Sequence, residues 1–373
     1  MNIYSLIPCL YDLTGHHFSY HLAFGEALKK NKWTHLKIIP KTCQIVDLPR
    51  DWKRALILHE GSKNKNLWNN FIKPFLNFFP FLKLFWKIKK KNQLKNVFFL
   101  EYFTLAHLFA LYLAVFFTRP KCCLWLLYRT DLDQIIFKGK IHKILHKLLI
   151  KILGKKNLTF FTDSELLSFQ LEKFFEAIFF ILPIPHTKIC SAKKLEKAKK
   201  DIICWWPGGS IREEKGLKAI IDISKQISSK RNISLMVAKA AKAFLFQSGN
   251  IEYVNTDLKS EEYNSLLFKS DIILLPYLSE VYRYRTSGIF VEAIVAQKIV
   301  LTTSNTWMAH ELKKFNLEEL IINWDDLRVL DRCIEIYNSE SIKNKLHKMS
   351  GHYRSYHSVE NYAGVLKEVI KHF

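Results

Sequence analysis

Short apolar runs of strand character alternate with helix-patterned segments along this chain, and the alternation happens twice. In the first half, Asn2 to Pro8 reads as an apolar strand, Leu10 to Tyr20 as a loop carrying Gly15, and Ser19 to Lys30 as an amphipathic helix. Strand-like runs follow at Leu36–Ile39, Ala55–Leu58, Val97–Leu100, Cys122–Tyr128 and Leu158–Phe161. Phe179 to Pro185 ends on Pro-Ile-Pro, a stiff stop, and Lys188 to Lys200, with six lysines, reads as an interdomain linker. The pattern restarts at Ile202, with strands expected at 202–206, 234–238, 272–275 and 299–302. Helices are expected there at 215–228, 260–269 and 288–296, with a variable stretch near Tyr253. Near-continuous apolar strands separated by helices imply an α/β fold, each half a parallel sheet covered on both faces.

Length and apolar content agree with two domains of ordinary size, 373 residues with 49% hydrophobic side chains. The formal net charge of +23 is unevenly shared. Residues 1–190 carry 29 Lys and Arg against 12 Asp and Glu, a net of +17, and the remainder carries 28 against 22, a net of +6. That bias favours a polyanionic partner, either nucleic acid or an anionic membrane leaflet, or else reflects a lysine-rich composition alone. Seven cysteines without C-x-x-C or Cys/His spacing lie mostly in apolar runs, which suits free thiols in a reducing cytosol and no structural zinc. The N-terminus enters a polar loop at once, so no signal peptide is expected. The apolar run Val97 to Thr118 contains Glu101 and His107, and divides better into a strand and a buried helix (Ala106 to Phe117) than into a membrane span.

Two motifs carry chemistry. In Gly209-Ser-Ile-Arg-Glu-Glu-Lys-Gly216, a strand gives way to a helix. Glycines there let the backbone pass close to a ligand, while helix-start amides and the cations Arg212 and Lys215 suit a diphosphate. In Ser287-Gly-Ile-Phe-Val-Glu292-Ala, a second helix opens with Ser287 and Gly288. Glu292 one turn further in is placed to accept hydrogen bonds from ribose hydroxyls. A carboxylate among Phe290, Val291, Ala293 and Ile294 is otherwise disfavoured. Together the motifs describe a pocket for a nucleotide diphosphate.

These residues resemble the retaining glycosyltransferases of family 4, which have the GT-B fold. The resemblance runs over nearly the whole chain and is specific in its C-terminal half. It implies two Rossmann-like doubly wound domains facing a central cleft, 1–190 for the acceptor and 201–355 for the nucleotide-sugar donor. A C-terminal helix, 356–373, crosses back to the first domain; Ser358 is its expected N-cap. It also implies that Arg212 and Lys215 hold the donor diphosphate and that Gly209, Ser287, Gly288, Arg285 and Glu292 line the donor site. The family's proximal glutamate, eight residues before Glu292, falls on Tyr284, a departure for which Arg283, Arg285 or Glu280 are the candidate substitutes.

In the first half, Gly15-His-His-Phe-Ser-Tyr20 follows the first strand. The resemblance puts a flexible glycine loop here, so Gly15 belongs with the donor phosphates, and His16 or His17 with either substrate. Arg129-Thr-Asp131 leaves the strand Leu124–Tyr128, and Arg129 with Asp131 is expected as an ion pair shaping the acceptor site. Asp131-Leu-Asp133 resembles the D-x-D metal motif of the other glycosyltransferase fold, but a cationic diphosphate site argues against a metal, and no cofactor is expected. Glu101 and His107 suit either the cleft or buried structure.

Residues 63–95 hold nine lysines, no acid, and Trp68, Phe71, Phe75, Phe78, Phe79, Phe81, Phe85 and Trp86, interrupted by Pro74 and Pro80. The mix suits a helix in the interface of an anionic membrane, stacking on single-stranded nucleic acid, or internal packing. The membrane reading is preferred and nucleic acid is not expected as a partner. The expected function is metal-independent, retaining transfer of a sugar from a nucleotide-diphosphate sugar to a cell-surface glycan or glycolipid precursor, in the cytoplasm or on the inner membrane face. A degenerate module that binds without turnover is the rival, kept open by Tyr284. An epimerase of the same fold lacks a recognisable acid pair.

Overall fold

The computed structural model describes residues 1–13, 16–58, 68–89, 95–129, 136–185, 201–207, 209, 211–230 and 232–371. The chain divides into two compact units, Met1–His186 with Ser358–Phe373, and Thr187–His357.

The first unit is a seven-stranded parallel sheet in the order β3-β2-β1-β4-β5-β6-β7. Its strands are β1 (Asn2–Leu6), β2 (Thr34–Pro40), β3 (Trp52–Leu56), β4 (Asn96–Leu100), β5 (Cys123–Leu127), β6 (Leu158–Thr162) and β7 (Phe179–Ile181). Its helices are α1 (His17–Lys30), the single turn α2 (Lys73–Phe75), α3 (Phe78–Lys89), α4 (Leu105–Thr118), α5 (Ile136–Leu153) and α6 (Glu165–Phe175). Strands β4, β5 and β6 are buried along their whole length, as parallel strands covered on both faces must be. The run Val97–Thr118 splits into β4 and α4, and Thr104 between them caps the helix by accepting from the His107 amide. No described helix is long and apolar enough to cross a membrane.

The second unit is a six-stranded parallel sheet in the order β10-β9-β8-β11-β12-β13. The strands are β8 (Ile202–Trp206), β9 (Ile233–Ala238), β10 (Ile251–Val254), β11 (Ile272–Leu275), β12 (Ile299–Thr303) and β13 (Ile321–Ile322). The helices are α7 (Leu217–Gln226), α8 (Ser260–Lys269), α9 (Ser279–Tyr282), α10 (Gly288–Val295), α11 (Trp307–Lys313), α12 (Val329–Asn338) and α13 (Glu340–Tyr356). Trp205 and Trp206 are fully buried at the centre of this sheet.

After α13 the chain returns to the first unit as α14 (Val359–Lys371), capped by Ser358, whose hydroxyl accepts from the Asn361 amide at 3.0 Å. It packs on α1 through Tyr362, Ala363, Leu366 and Val369, which join the same apolar cluster as Tyr20, Phe24 and Trp125. Polar contacts fix the register: Tyr20 Oη to Tyr362 Oη at 2.7 Å, and Asn31 Nδ2 donating to the Ala363 carbonyl at 2.8 Å.

Three local expectations are corrected. The third strand lies at Trp52–Leu56 rather than Ala55–Leu58, and the stretch near Tyr253 is β10, paired with β9. The first helix starts at His17, two residues earlier than its apolar pattern suggests. The expected linker 188–200 lies outside the described residues.

Candidate functional site

Each sheet reverses its strand order at one point, and the candidate residues gather there. In an open parallel sheet the connections leave in opposite directions from two adjacent central strands, opening a crevice beyond their carboxyl ends. In the second unit those strands are β8 and β11, and in the first unit β1 and β4.

In the second unit, β8 feeds a tight turn in which Glu213–Lys215 form a single helical turn before Gly216 opens α7. Gly209 and Gly216 both have left-handed backbones, φ 57° and 80°. The turn is tied down on both sides. The Trp206 indole donates to the Lys215 carbonyl at 3.1 Å, and the Leu278 amide donates to the Glu214 carbonyl at 3.0 Å. Lys215 is thereby held among like charges. Burial, reinforced by the neighbouring Arg212 and Arg285 and opposed by Glu214, brings its ammonium down to about 8. Arg212 is half exposed and pairs with Glu214 at 3.2 Å, while the Arg285 guanidinium lies over the Tyr282 ring at 5.5 Å. Arg212 and Arg285 thus both act on Lys215, a repulsion that a bound anion would relieve.

The loop after β11 supplies the remaining wall. Tyr277 is buried, and burial pushes its phenol above its ordinary value while Arg212 and a hydrogen bond to Ser287 pull the other way. Ser287 caps α10, its hydroxyl accepting from the Phe290 amide at 3.3 Å, and Gly288 is the first helical residue. Phe290, Val291, Ala293 and Ile294 are fully buried, so α10 cannot turn. Glu292 is carried on this rigid helix, and burial pushes its carboxyl up to about 7. The Tyr263 hydroxyl lies beside that carboxyl without closing a well-directed hydrogen bond. Tyr284 is partly buried, whereas Arg283 and Glu280 are exposed. Of the three suggested substitutes, Arg285 is the one that acts on Lys215.

In the first unit a buried carboxylate organises the crevice. Glu101 follows β4 directly and is 2% exposed. Oε1 receives Arg129 Nη1 and lies 3.1 Å from His16 Nε2; Oε2 lies 3.3 Å from His17 Nδ1 and 3.0 Å from His21 Nε2. Burial alone would raise its carboxyl, yet Arg129 and His17 hold it well below the usual range. His17 is raised, because Cys9 and Glu101 outweigh the burial that opposes its charge. Arg129 also reaches Asp163 Oδ2 at 3.2 Å and covers the Tyr20 ring at 4.7 Å. Among the described residues Arg129 thus pairs with Glu101 and Asp163. Asp131, Asp133 and Gly15 lie outside the described residues.

His16, His17 and Glu101 have ligand atoms within 4.8 Å of one another, the spacing of a cation site. The Arg129 guanidinium, however, occupies Glu101 Oε1 and stands 3.2 Å from His16 Nε2. A fixed positive charge on two of the three ligands makes a poor seat for a metal ion. The group fits a polar substrate with hydroxyls or an anion better. His21 and Asp163 are not among the expected site residues, and for Glu101 the sequence leaves the cleft and buried structure equally open. The signal that finds them is position: Glu101 and Asp163 are the first residues after β4 and β6.

No protein-family model matches this chain, and no curated protein sequence does. Solved structures do. The N-terminal domain of trehalose-6-phosphate phosphatase from Candida albicans matches at TM-score 0.65 and 12% identity, over 100% of this chain and 97% of that one. An E. coli structure described as trehalose-6-phosphate bound with UDP-2-fluoro glucose matches at TM-score 0.62 and 12% identity, over 100% and 99%. The S. aureus MnaA–UDP structure matches at TM-score 0.58 and 14% identity, over 99% and 96%. At these identities the likeness establishes the fold: a two-domain α/β architecture of the GT-B type, with parallel sheets of seven and six strands.

Proposed function

We propose that this chain is a glycosyltransferase that takes a sugar from a nucleotide-diphosphate donor, with retention and without a metal, and passes it to a glycan or glycolipid precursor. The observation that carries the reading is the cluster of Arg212, Lys215 and Arg285 at the reversal point of the second sheet, with Glu292 on the adjoining helix. Residues 201–355 are the donor domain in this reading. The three cations neutralise the diphosphate as it leaves, and Ser287 and Gly288 present the start of α10 to it. Preorganised charge aimed at developing charge is usually the largest catalytic contribution. Glu292 accepts from the ribose hydroxyls.

The first unit, in the same reading, receives the acceptor. Arg129 and the Glu101-bound histidines His16 and His17 present fixed donors at the reversal point of its sheet. Neighbouring folds that carry UDP or UDP-2-fluoro glucose are consistent with a nucleotide-sugar substrate. Tyr284 in place of a proximal acid favours one second reading, a module that binds the donor without turnover. Incubation with radiolabelled UDP-, GDP- and ADP-sugars separates the two. Release or transfer of labelled sugar, lost in the Arg212→Ala variant, supports the transferase. Tight nucleotide binding with no turnover of any donor leaves the binding module, and no binding of any nucleotide sinks both.

A further inference from the structure

The first unit leaves a set of aromatic rings uncovered. Along α3, Phe81, Phe85 and Ile88 face the core, and the opposite stripe presents Phe79, Lys83, Trp86 and Lys87. Phe79 is 62% exposed and Trp86 56%. The end of the adjoining helix α4 adds Phe116 and Phe117, the latter 61% exposed. Phe78, Phe79, Phe116 and Phe117 form one continuous surface, and Trp86 lies two turns further along the same side of α3. Phe78 sits 5.2 Å from Phe79 and 6.1 Å from Phe117, which is 5.4 Å from Phe116. Soluble monomers rarely expose large rings in a contiguous patch, so this face has a partner.

Its charge identifies the partner. Residues 63–95 carry nine lysines and no acid, and Lys83, Lys87 and Lys89 are exposed on α3 itself. A second copy of the chain would set these lysines against each other. A bilayer with anionic headgroups meets both halves of the pattern: rings enter the headgroup–acyl boundary while lysine stems reach back to the phosphates. We propose that the outward stripe of α3 and the C-terminal end of α4 dock this protein on an anionic lipid surface. The inference is independent of the transferase reading, because it is read without any sugar donor.

The test is sedimentation of the full chain with vesicles of phosphatidylcholine alone and of phosphatidylcholine mixed with phosphatidylglycerol. The expected result is binding to the anionic vesicles only, weakening steeply with salt. Lys83→Glu with Lys87→Glu lowers the partition coefficient at least about tenfold. Phe79→Ser with Phe117→Ser removes the binding that survives at high salt. Reversal of the exposed Lys218 and Lys225 on α7 controls for net charge and costs no more than about threefold. Equal binding to both vesicle types, or equal loss from the α3 and α7 reversals, overturns the proposal. So does concentration-dependent self-association abolished by Phe117→Ser without vesicle binding, and so does preferential capture of single-stranded nucleic acid. Each variant changes exposed side chains only, and unchanged thermal unfolding verifies the fold.

Discussion

Gly216 lies so close to Pro276 that a Cβ added to it would stand 2.0 Å from the Pro276 carbonyl oxygen. With φ at 80°, the position also has a backbone that L side chains rarely adopt. This contact joins the turn after β8 to the loop after β11, the two segments that carry the cation cluster. Gly216→Ala is therefore expected to cost more than the roughly 1–3 kcal/mol of left-handed strain alone. Urea unfolding measures it, and a variant as stable as the parent would mean the two segments are not clamped together here.

Removing single cations should grade with what each touches. Truncating a partner of a desolvated charge pair costs about 2–5 kcal/mol. Lys215→Ala should fall in that range for UDP, GDP or ADP binding, with Arg285→Ala close behind. Arg212 is half exposed and shares its charge with Glu214, so Arg212→Ala should cost less in binding than Lys215→Ala. Isothermal titration of the preferred nucleotide gives the order.

Lys215 sets a pH dependence of its own. Its ammonium is held at about 8, against an ordinary 10.5. A bound diphosphate favours the charged form. Affinity should hold below pH 8, then decline towards pH 10.5 by at most about tenfold per unit, with one proton taken up on binding. Folding runs the other way. Between about 8 and 10.5 the unfolded chain binds more protons, so this group's contribution to stability rises with pH across that window. Lys215→Arg should flatten both trends.

Glu292 gives the opposite window. Its folded value of about 7 lies above the ordinary 4.5, so the folded chain binds more protons between them. Its contribution to stability is present below about pH 4.5 and is lost as pH rises through 7. Glu292→Gln should raise Tm at pH 8, leave it unchanged near pH 4.5, and weaken binding of nucleosides with a ribose more than of their deoxyribose forms. Calorimetric melts at the two pH values check the first half.

In the first unit, Glu101→Ala would leave Arg129 and the neighbouring histidines without their buried counter-charge. Breaking a buried pair from one side costs about 3–5 kcal/mol. Because its folded carboxyl lies well below the usual range, the contribution of Glu101 is present above about pH 4.5 and fades as pH falls below it. Denaturant melts of the parent and Glu101→Ala should converge in acid.

Much of this architecture was legible from apolar runs, because strands such as β5 and β11 are buried along both faces and carry almost nothing polar. Edge strands were harder. β3 (Trp-Lys-Arg-Ala-Leu) and β10 (Ile-Glu-Tyr-Val) are polar on their exposed side, so one was displaced and the other passed over. The polar helices α12 and α13 likewise lack a conspicuous apolar run. At the site, Gly209, Gly216 and the cations lie in one short stretch and were readable. The Glu101 cluster joins residues 85 apart, and a lone acid beside an apolar run gives no local clue to the imidazoles it will meet.

The most direct test is a pair of titrations, a nucleoside diphosphate and its parent nucleoside, into the parent chain and into Lys215→Ala with Arg285→Ala. The diphosphate should lose at least about thirtyfold in affinity on the double substitution, while the nucleoside changes less than about threefold. Equal losses for both ligands, or none for the diphosphate, would contradict a pyrophosphate seat at the turn after β8.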